Sequence, residues 1–281
     1  MPEELQIRVH GSPDQPTLVY LPGLHGDWTL VSSFRAALAG RVRFVEFTYP
    51  RSLTWSLDEY AAAIEDALLA NEIKQGWVLG ESFGSQVAWP FAARNATSIS
   101  SPHERAVVNP AVAPGKTFEC EPERFQIQGL ILAGGFVRYP SRWRVLLARR
   151  FCRDVSLPRL TRYLYYYARY AKFRHRHAPE TLERIAEFIA RRTELDRQAA
   201  AHRLSLIQQY DPRPIARRTR LPVYSLNGFF DPIVPWWRVR PWLRRNCPGY
   251  QCGKTILRAD HNVLGTAPQI AADQVASWIT A

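Results

Sequence analysis

The sequence predicts an α/β fold: a mostly parallel sheet with helices on both faces and an inserted all-helical segment. Three observations predict it. Through residue 136, short apolar runs that stop at glycine or proline alternate with segments of helical period. The same alternation resumes near residue 216. Between them the pattern is helical throughout and contains no strand signal. We therefore expect residues 1–136 and 216–281 to form the core, with 137–215 as an arginine-rich helical cap.

Each element has a local reason. Leu5–His10 alternates apolar and polar residues, as an edge strand does. Thr17–Leu21 is an apolar run halted by Pro22-Gly23, a strand followed by a turn. Trp28–Leu38 has helical spacing, with Gly40 as a stop. Arg41–Tyr49 alternates again. Ser56-Leu57-Asp58-Glu59 fits a capping box ahead of a helix that runs through Leu69. Trp77–Leu79 reads as a brief buried strand and Phe83–Arg94 as a helix. Residues 95–125, rich in Ser, Pro, Glu and Ala, have no period and read as a long loop insertion. Ile127–Ala133 is a buried strand closed by Gly134-Gly135. After the helical segment, Val223–Leu226 and Thr255–Leu257 read as strands, and Trp236–Arg245 and Gln269–Thr280 as helices.

Composition excludes several classes. The 281 residues are 46% apolar and 22% charged, enough to build a core, so global disorder is excluded. No stretch approaches the roughly 18 apolar residues of a spanning helix. The acidic N-terminus MPEELQIRVHG lacks an apolar signal region, which predicts a cytoplasmic protein. Cys120, Cys152, Cys247 and Cys252 have no metal-site spacing and read as reduced thiols.

The net charge is +12, and its distribution matters more than its size. Residues 138–220 hold 21 basic and 7 acidic side chains, whereas the rest of the chain holds 16 and 18. All the excess basicity lies in the helical segment. No zinc finger, RRM signature or basic zipper accompanies it, so we expect no nucleic-acid partner.

Gly80-Glu81-Ser82-Phe83-Gly84 fits G-x-S-x-G, between a buried strand and a helix. A sharp strand-to-helix turn would expose the serine hydroxyl at the C-terminal edge of the sheet, and side chains at the glycines would clash. A serine hydroxyl is a weak nucleophile that needs a base, and the base needs an orienting acid. In the order Ser, acid, His, the partners are Asp231, just past the strand Val223–Leu226, and His261, the one histidine downstream of it. Asp260 and Asp211 are rival acids. Asp260 is adjacent in sequence to the base, and Asp211 sits where the helical segment ends. For a developing oxyanion, the backbone N–H groups of Leu24, in the loop after Thr17–Leu21, and of Phe83 are the expected donors. His25 and Trp28 of that loop are candidate substrate contacts. No metal and no organic cofactor is required.

The segments LVYLPGLHGDW, VLGESFGS, LNGFFDPIVP and RADHNVLG, in this order, resemble the α/β-hydrolase fold superfamily. The resemblance covers most of the chain. It implies an eight-stranded, mostly parallel sheet and a triad of Ser82, Asp231 and His261. The usual His-Gly of the first oxyanion loop is Pro22-Gly23 here, a departure that leaves the exact donor open. The expected reaction is hydrolysis of a small-molecule carboxylic ester or thioester through an acyl-enzyme. C–C bond hydrolysis, peptidase chemistry and a non-catalytic binding protein of the same fold are the alternatives. The arginine-rich cap suits an acidic acyl carrier, coenzyme A or an anionic membrane surface, since Arg142–Phe151 alternates basic and apolar residues and Tyr163–Tyr170 is an aromatic belt. A solvated face with arginine stems lying over aromatics is the plain alternative.

Overall fold

A computed structural model describes residues 4–96, 123–174, 176 and 178–280; most of the expected 95–125 loop, and Cys120, lie outside the described residues. The chain opens with strand β1 (Gln6–His10) and β2 (Thr17–Leu21). A 3₁₀ turn, Thr29–Val31, leads into helix α1 (Ser32–Leu38), which is followed by β3 (Arg43–Thr48) and α2 (Leu57–Ala70). Next come β4 (Gln75–Glu81), α3 (Gly84–Ala96) and β5 (Gln126–Ala133). Five helices follow before the next strand: α4 (Arg142–Asp154), α5 (Leu157–Arg174), α6 (Pro179–Ala190), α7 (Glu194–Gln209) and α8 (Arg213–Arg218). The chain closes with β6 (Val223–Gly228), α9 (Trp236–Asn246), β7 (Tyr250–Ile256), α10 (Val263–Thr266) and α11 (Pro268–Ile279).

The strands form one seven-stranded sheet in the order β1-β3-β2-β4-β5-β6-β7. Only β1 runs antiparallel. These are the seven runs legible in the sequence; the eighth strand implied by the resemblance has no counterpart among the described residues. β7 is longer than the sequence predicts. It lies at the sheet edge with most of its side chains exposed or half-exposed, so the sequence marks only its end.

The central strands are buried on both faces, and their alternation divides the core in two. Val19, Leu21, Val78, Leu130 and Leu132 point to one side, where α2, α3 and α9 pack. Leu18, Tyr20, Leu79, Ile131 and Ala133 point to the other, against α1, α10 and α11. The predicted capping box is present at α2: Ser56 Oγ accepts from Glu59 N–H and the Glu59 carboxylate accepts from Ser56 N–H at 2.7 Å.

The inserted helices are tied to the sheet layers by specific contacts. Thr181 at the start of α6 donates from its backbone N–H to Ser33 Oγ at 3.0 Å, and Ser33 Oγ donates to Glu180 at 2.8 Å. Leu204 and Ile207 of α7 and Val145 of α4 enter the core on the α2/α3 side. Helix α8 starts inside the expected 137–215 segment, yet its Ala216 is fully buried in that same core. No described helix is long and apolar enough to cross a membrane. Cys152, Cys247 and Cys252 are unpaired.

Trp89 of α3 is fully buried, and its Nε1–H donates to Phe136 O at 3.3 Å, holding the chain after β5 against α3. Trp89→Ala should lower unfolding stability by about 3–5 kcal/mol, read as a reduced midpoint in urea denaturation.

Candidate active site

The turn between β4 and α3 is the origin of the site. Ser82 has φ +50°, a left-handed conformation rarely adopted by a non-glycine residue. Neighbouring glycines allow the tight path. A Cβ on Gly84 would stand 2.1 Å from Leu21 O, and one on Gly80 would stand 2.8 Å from the Gly84 backbone. Helix α3 can therefore begin against the end of β2, and Ser82 N–H still bonds Ala133 O of β5 at 3.0 Å.

Asp231 and His261 arrive from the ends of β6 and β7. Asp231 is buried; its Oδ1 accepts from the backbone N–H groups of Ile233 and Val234, both at 2.8 Å. Its Oδ2 lies 2.9 Å from His261 Nδ1. A carboxylate only accepts, so Nδ1 carries the proton and Nε2 is left to face Ser82 Oγ, also at 2.9 Å. Burial by itself would lower the His261 pKa; the hydrogen bond and charge of Asp231 outweigh it and raise the value above that of ordinary imidazole. The rival acids are engaged elsewhere: Asp260 accepts from Asn262 N–H at 3.0 Å, and Asp211 is held by Arg138 and Arg213.

A cavity of about 240 Å³ opens over Ser82 and His261. Leu30, Val145, Ala148, Leu204, Ile207 and Ile233 give it apolar walls, while Arg144, Glu81 and Asn262 add polar groups. Gly23, Leu24 and His25 form one side of it. The backbone N–H groups of Leu24 and Phe83 donate to no described residue. His25 Nε2 is buried and likewise has no described partner. Its ring meets Phe188 edge-on, 5.7 Å between centroids. Burial keeps the His25 pKa below the ordinary value despite the nearby acids Asp27 and Glu81, so its ring is neutral near pH 7. Trp28 does not line the cavity. Its ring lies under the Arg8 guanidinium, 4.1 Å to the centroid, and packs on the α1 side of the sheet, which sets aside its reading as a substrate contact.

Two arginines of the helical segment hold the Leu24–Asp27 loop, and nothing in the sequence singled them out. Arg203 of α7 is buried, donating to Leu24 O and Pro50 O, both at 3.0 Å. Gly26, at φ +76°, leaves room for it, since a Cβ there would stand 2.3 Å from the guanidinium. Arg192 donates to Asp27 at 2.5 Å and to His25 O at 3.3 Å, and stacks over Phe188. Part of the basic excess is thus internal and structural. Beside Ser82, the Glu81 carboxylate accepts a 2.5 Å bond from Tyr20 O–H, and burial first, then Glu81, keeps that phenol protonated far above its usual range.

The profile of the Alpha/beta hydrolase family matches residues 9–278. Solved structures of similar shape include an enol-lactonase from Burkholderia xenovorans, 17% identical, with 99% of this chain and 96% of that one covered at a TM-score of 0.72. An esterase from Exiguobacterium antarcticum is 12% identical over 99% of this chain and 96% of that one, with the same TM-score of 0.72. A thermophilic esterase from Thermogutta terrifontis is 20% identical over 98% and 93%, with a TM-score of 0.67. At these identities the likeness is one of fold. No curated protein matches the chain by sequence.

Arg203→Met would leave the Leu24 and Pro50 carbonyls without their donor. We expect a loss of about 1–3 kcal/mol in stability, measured by chemical denaturation. Arg203→Lys, which retains a cation, should recover part of it.

Proposed function

The chain belongs to the alpha/beta hydrolase family, and from that premise we propose that it is a serine hydrolase cleaving a carboxylic ester or thioester through an acyl-enzyme on Ser82. The observation that carries this reading is the continuous relay Asp231 Oδ2–His261 Nδ1, His261 Nε2–Ser82 Oγ, each link 2.9 Å long. It opens into a largely apolar cavity suited to an acyl group.

In this mechanism Ser82 Oγ attacks the carbonyl carbon while His261 Nε2 takes its proton. Asp231 keeps Nδ1 protonated and stabilises the imidazolium. The oxyanion is received by the N–H groups of Leu24 and Phe83, a role supported by their lack of any other described acceptor. The imidazolium then protonates the leaving alcohol or thiol, and the C–O or C–S bond breaks. Water, deprotonated by His261, next attacks the acyl-enzyme, releasing the acid and restoring Ser82. We assign to His25 Nε2, unpartnered at the cavity wall, a polar contact with the substrate. Helices α4–α7 serve as a cap, since α4 and α7 supply Val145, Ala148, Leu204 and Ile207 to the cavity.

A fluorophosphonate probe should label Ser82 and no other serine, as read by peptide mass spectrometry. Ser82→Ala should abolish labelling and lower turnover of the best ester or thioester by about 10⁴-fold or more. Full activity in that variant would overturn the assignment.

The pH profile gives a second check. The base works when neutral, and its pKa is raised above 6.5. Activity should therefore be lost as pH falls, with the midpoint of the acid limb of kcat/KM above 6.5. Asp231→Asn removes the largest raising influence, so any residual activity should titrate at lower pH.

A further inference from the structure

Helices α4 and α5 carry a surface that the hydrolytic chemistry does not use. Residues 141–176 contain 11 basic side chains and a single acid, Asp154. Among the described side chains of α5, none is buried. Arg159, Arg162, Tyr163, Tyr166, Arg169 and Phe173 recur at three- and four-residue spacing, so they share one stripe along the helix. Tyr163 is 58% exposed, Tyr166 67% and Phe173 63%. The three arginines form no ion pair with a described residue.

Helix α4 extends the same surface. Trp143 is 68% exposed and Leu147 60%, with Leu146 and Phe151 also in solvent. Phe151 meets Tyr163 of α5 at 5.7 Å between ring centroids, which joins the two helices into one patch. The opposite face of α4 supplies Val145 and Ala148 to the cavity over Ser82. Arg144 donates to Pro232 O at 2.8 Å and so sets α4 beside the loop after β6, where Phe230 and Ile233 are exposed. The apolar surface therefore borders the cavity mouth.

An exposed apolar patch of this extent on a folded chain marks a binding surface. We propose that the α4–α5 face binds the surface of an anionic phospholipid bilayer. Rings of Trp and Tyr with one apolar and one polar end belong at the headgroup level, and arginines interleaved with them meet the lipid charge. Self-association is disfavoured by the same charge: a two-fold contact through this face would set the exposed Arg159, Arg162 and Arg169 of one copy against those of the other. On the bilayer, the cavity mouth sits where apolar esters concentrate. The surface itself acts independently of the reaction at Ser82.

The test is co-sedimentation of the full chain with vesicles of phosphatidylcholine alone or mixed with phosphatidylglycerol. We expect capture by the mixed vesicles only, and release as salt is raised. Ser82→Ala should bind as the unaltered chain does, so the outcome is separable from the catalytic reading. The triple change Tyr163→Ser, Tyr166→Ser, Phe173→Ser should weaken capture by about tenfold or more, and Arg159→Gln with Arg162→Gln and Arg169→Gln should flatten the salt dependence. Fluorophosphonate labelling and circular dichroism unchanged from the parent would show that both variants are folded. Equal capture by neutral vesicles, no capture by either, or full capture by the triple variant would overturn the proposal. So would a dimer, or retention of single-stranded oligonucleotide, that the triple variant abolishes while vesicle binding is absent.

Discussion

Everything at the candidate site depends on one backbone constraint, the turn that takes the chain from β4 into α3 within two residues. A buried parallel strand and a helix packed against the neighbouring strand can be joined so closely only if the residue between them adopts a left-handed conformation. That residue is Ser82 at φ +50°, at a cost on the order of 1–3 kcal/mol. The cost is offset by burial around it: Phe83 packs against Tyr49 and Tyr60, and Ser85 Oγ bonds both Ser82 O and Phe136 O. The same turn leaves the Phe83 N–H without a described acceptor and aims the Ser82 hydroxyl at His261. The strain and the placement of the Ser82 hydroxyl share one origin.

The electrostatics around the turn show burial acting in two directions. His25 and His261 are both withdrawn from water, which disfavours the charged ring in each. His261 has a direct hydrogen bond to Asp231 and ends above its ordinary pKa. His25 has no hydrogen-bonded acid at its ring among the described residues, and ends below it. Two histidines lining one cavity thus differ in character because only His261 is hydrogen-bonded to a described carboxylate. Arg203 and Arg192 add a second layer. Arg203 comes from α7 and Arg192 from the connection between α6 and α7, yet both grip the Leu24–Asp27 loop, which ties the inserted segment to the loop at the cavity.

Much of this was legible in the chain. The seven strands appear as apolar or alternating runs, and the capping box at Ser56 marks the start of α2 correctly. The sequence singles out Ser82, Asp231 and His261 as candidates because each follows a strand, and turn chemistry marks strand ends; the structure brings the three side chains within hydrogen-bond reach. The signal failed where burial is partial. β7 is an edge strand with polar, exposed positions, and the sequence marks only its last residues. Trp28 looked like a substrate contact because it follows the Leu24 loop, but its ring turns back under Arg8.

By itself the sequence determined the order of the elements, the turn chemistry at Ser82 and the confinement of positive charge to one stretch, because those follow from local sterics and composition. What only the tertiary structure decided is which of those charges face inward. Arg203 and Arg162 are alike as residues of amphipathic helices. One is enclosed by carbonyl oxygens and the other is open to solvent, and that difference arises from which helix packs over the Leu24 loop. Periodicity places a side chain on a face of its own helix; only the packing of that helix against distant segments sets the partner it meets.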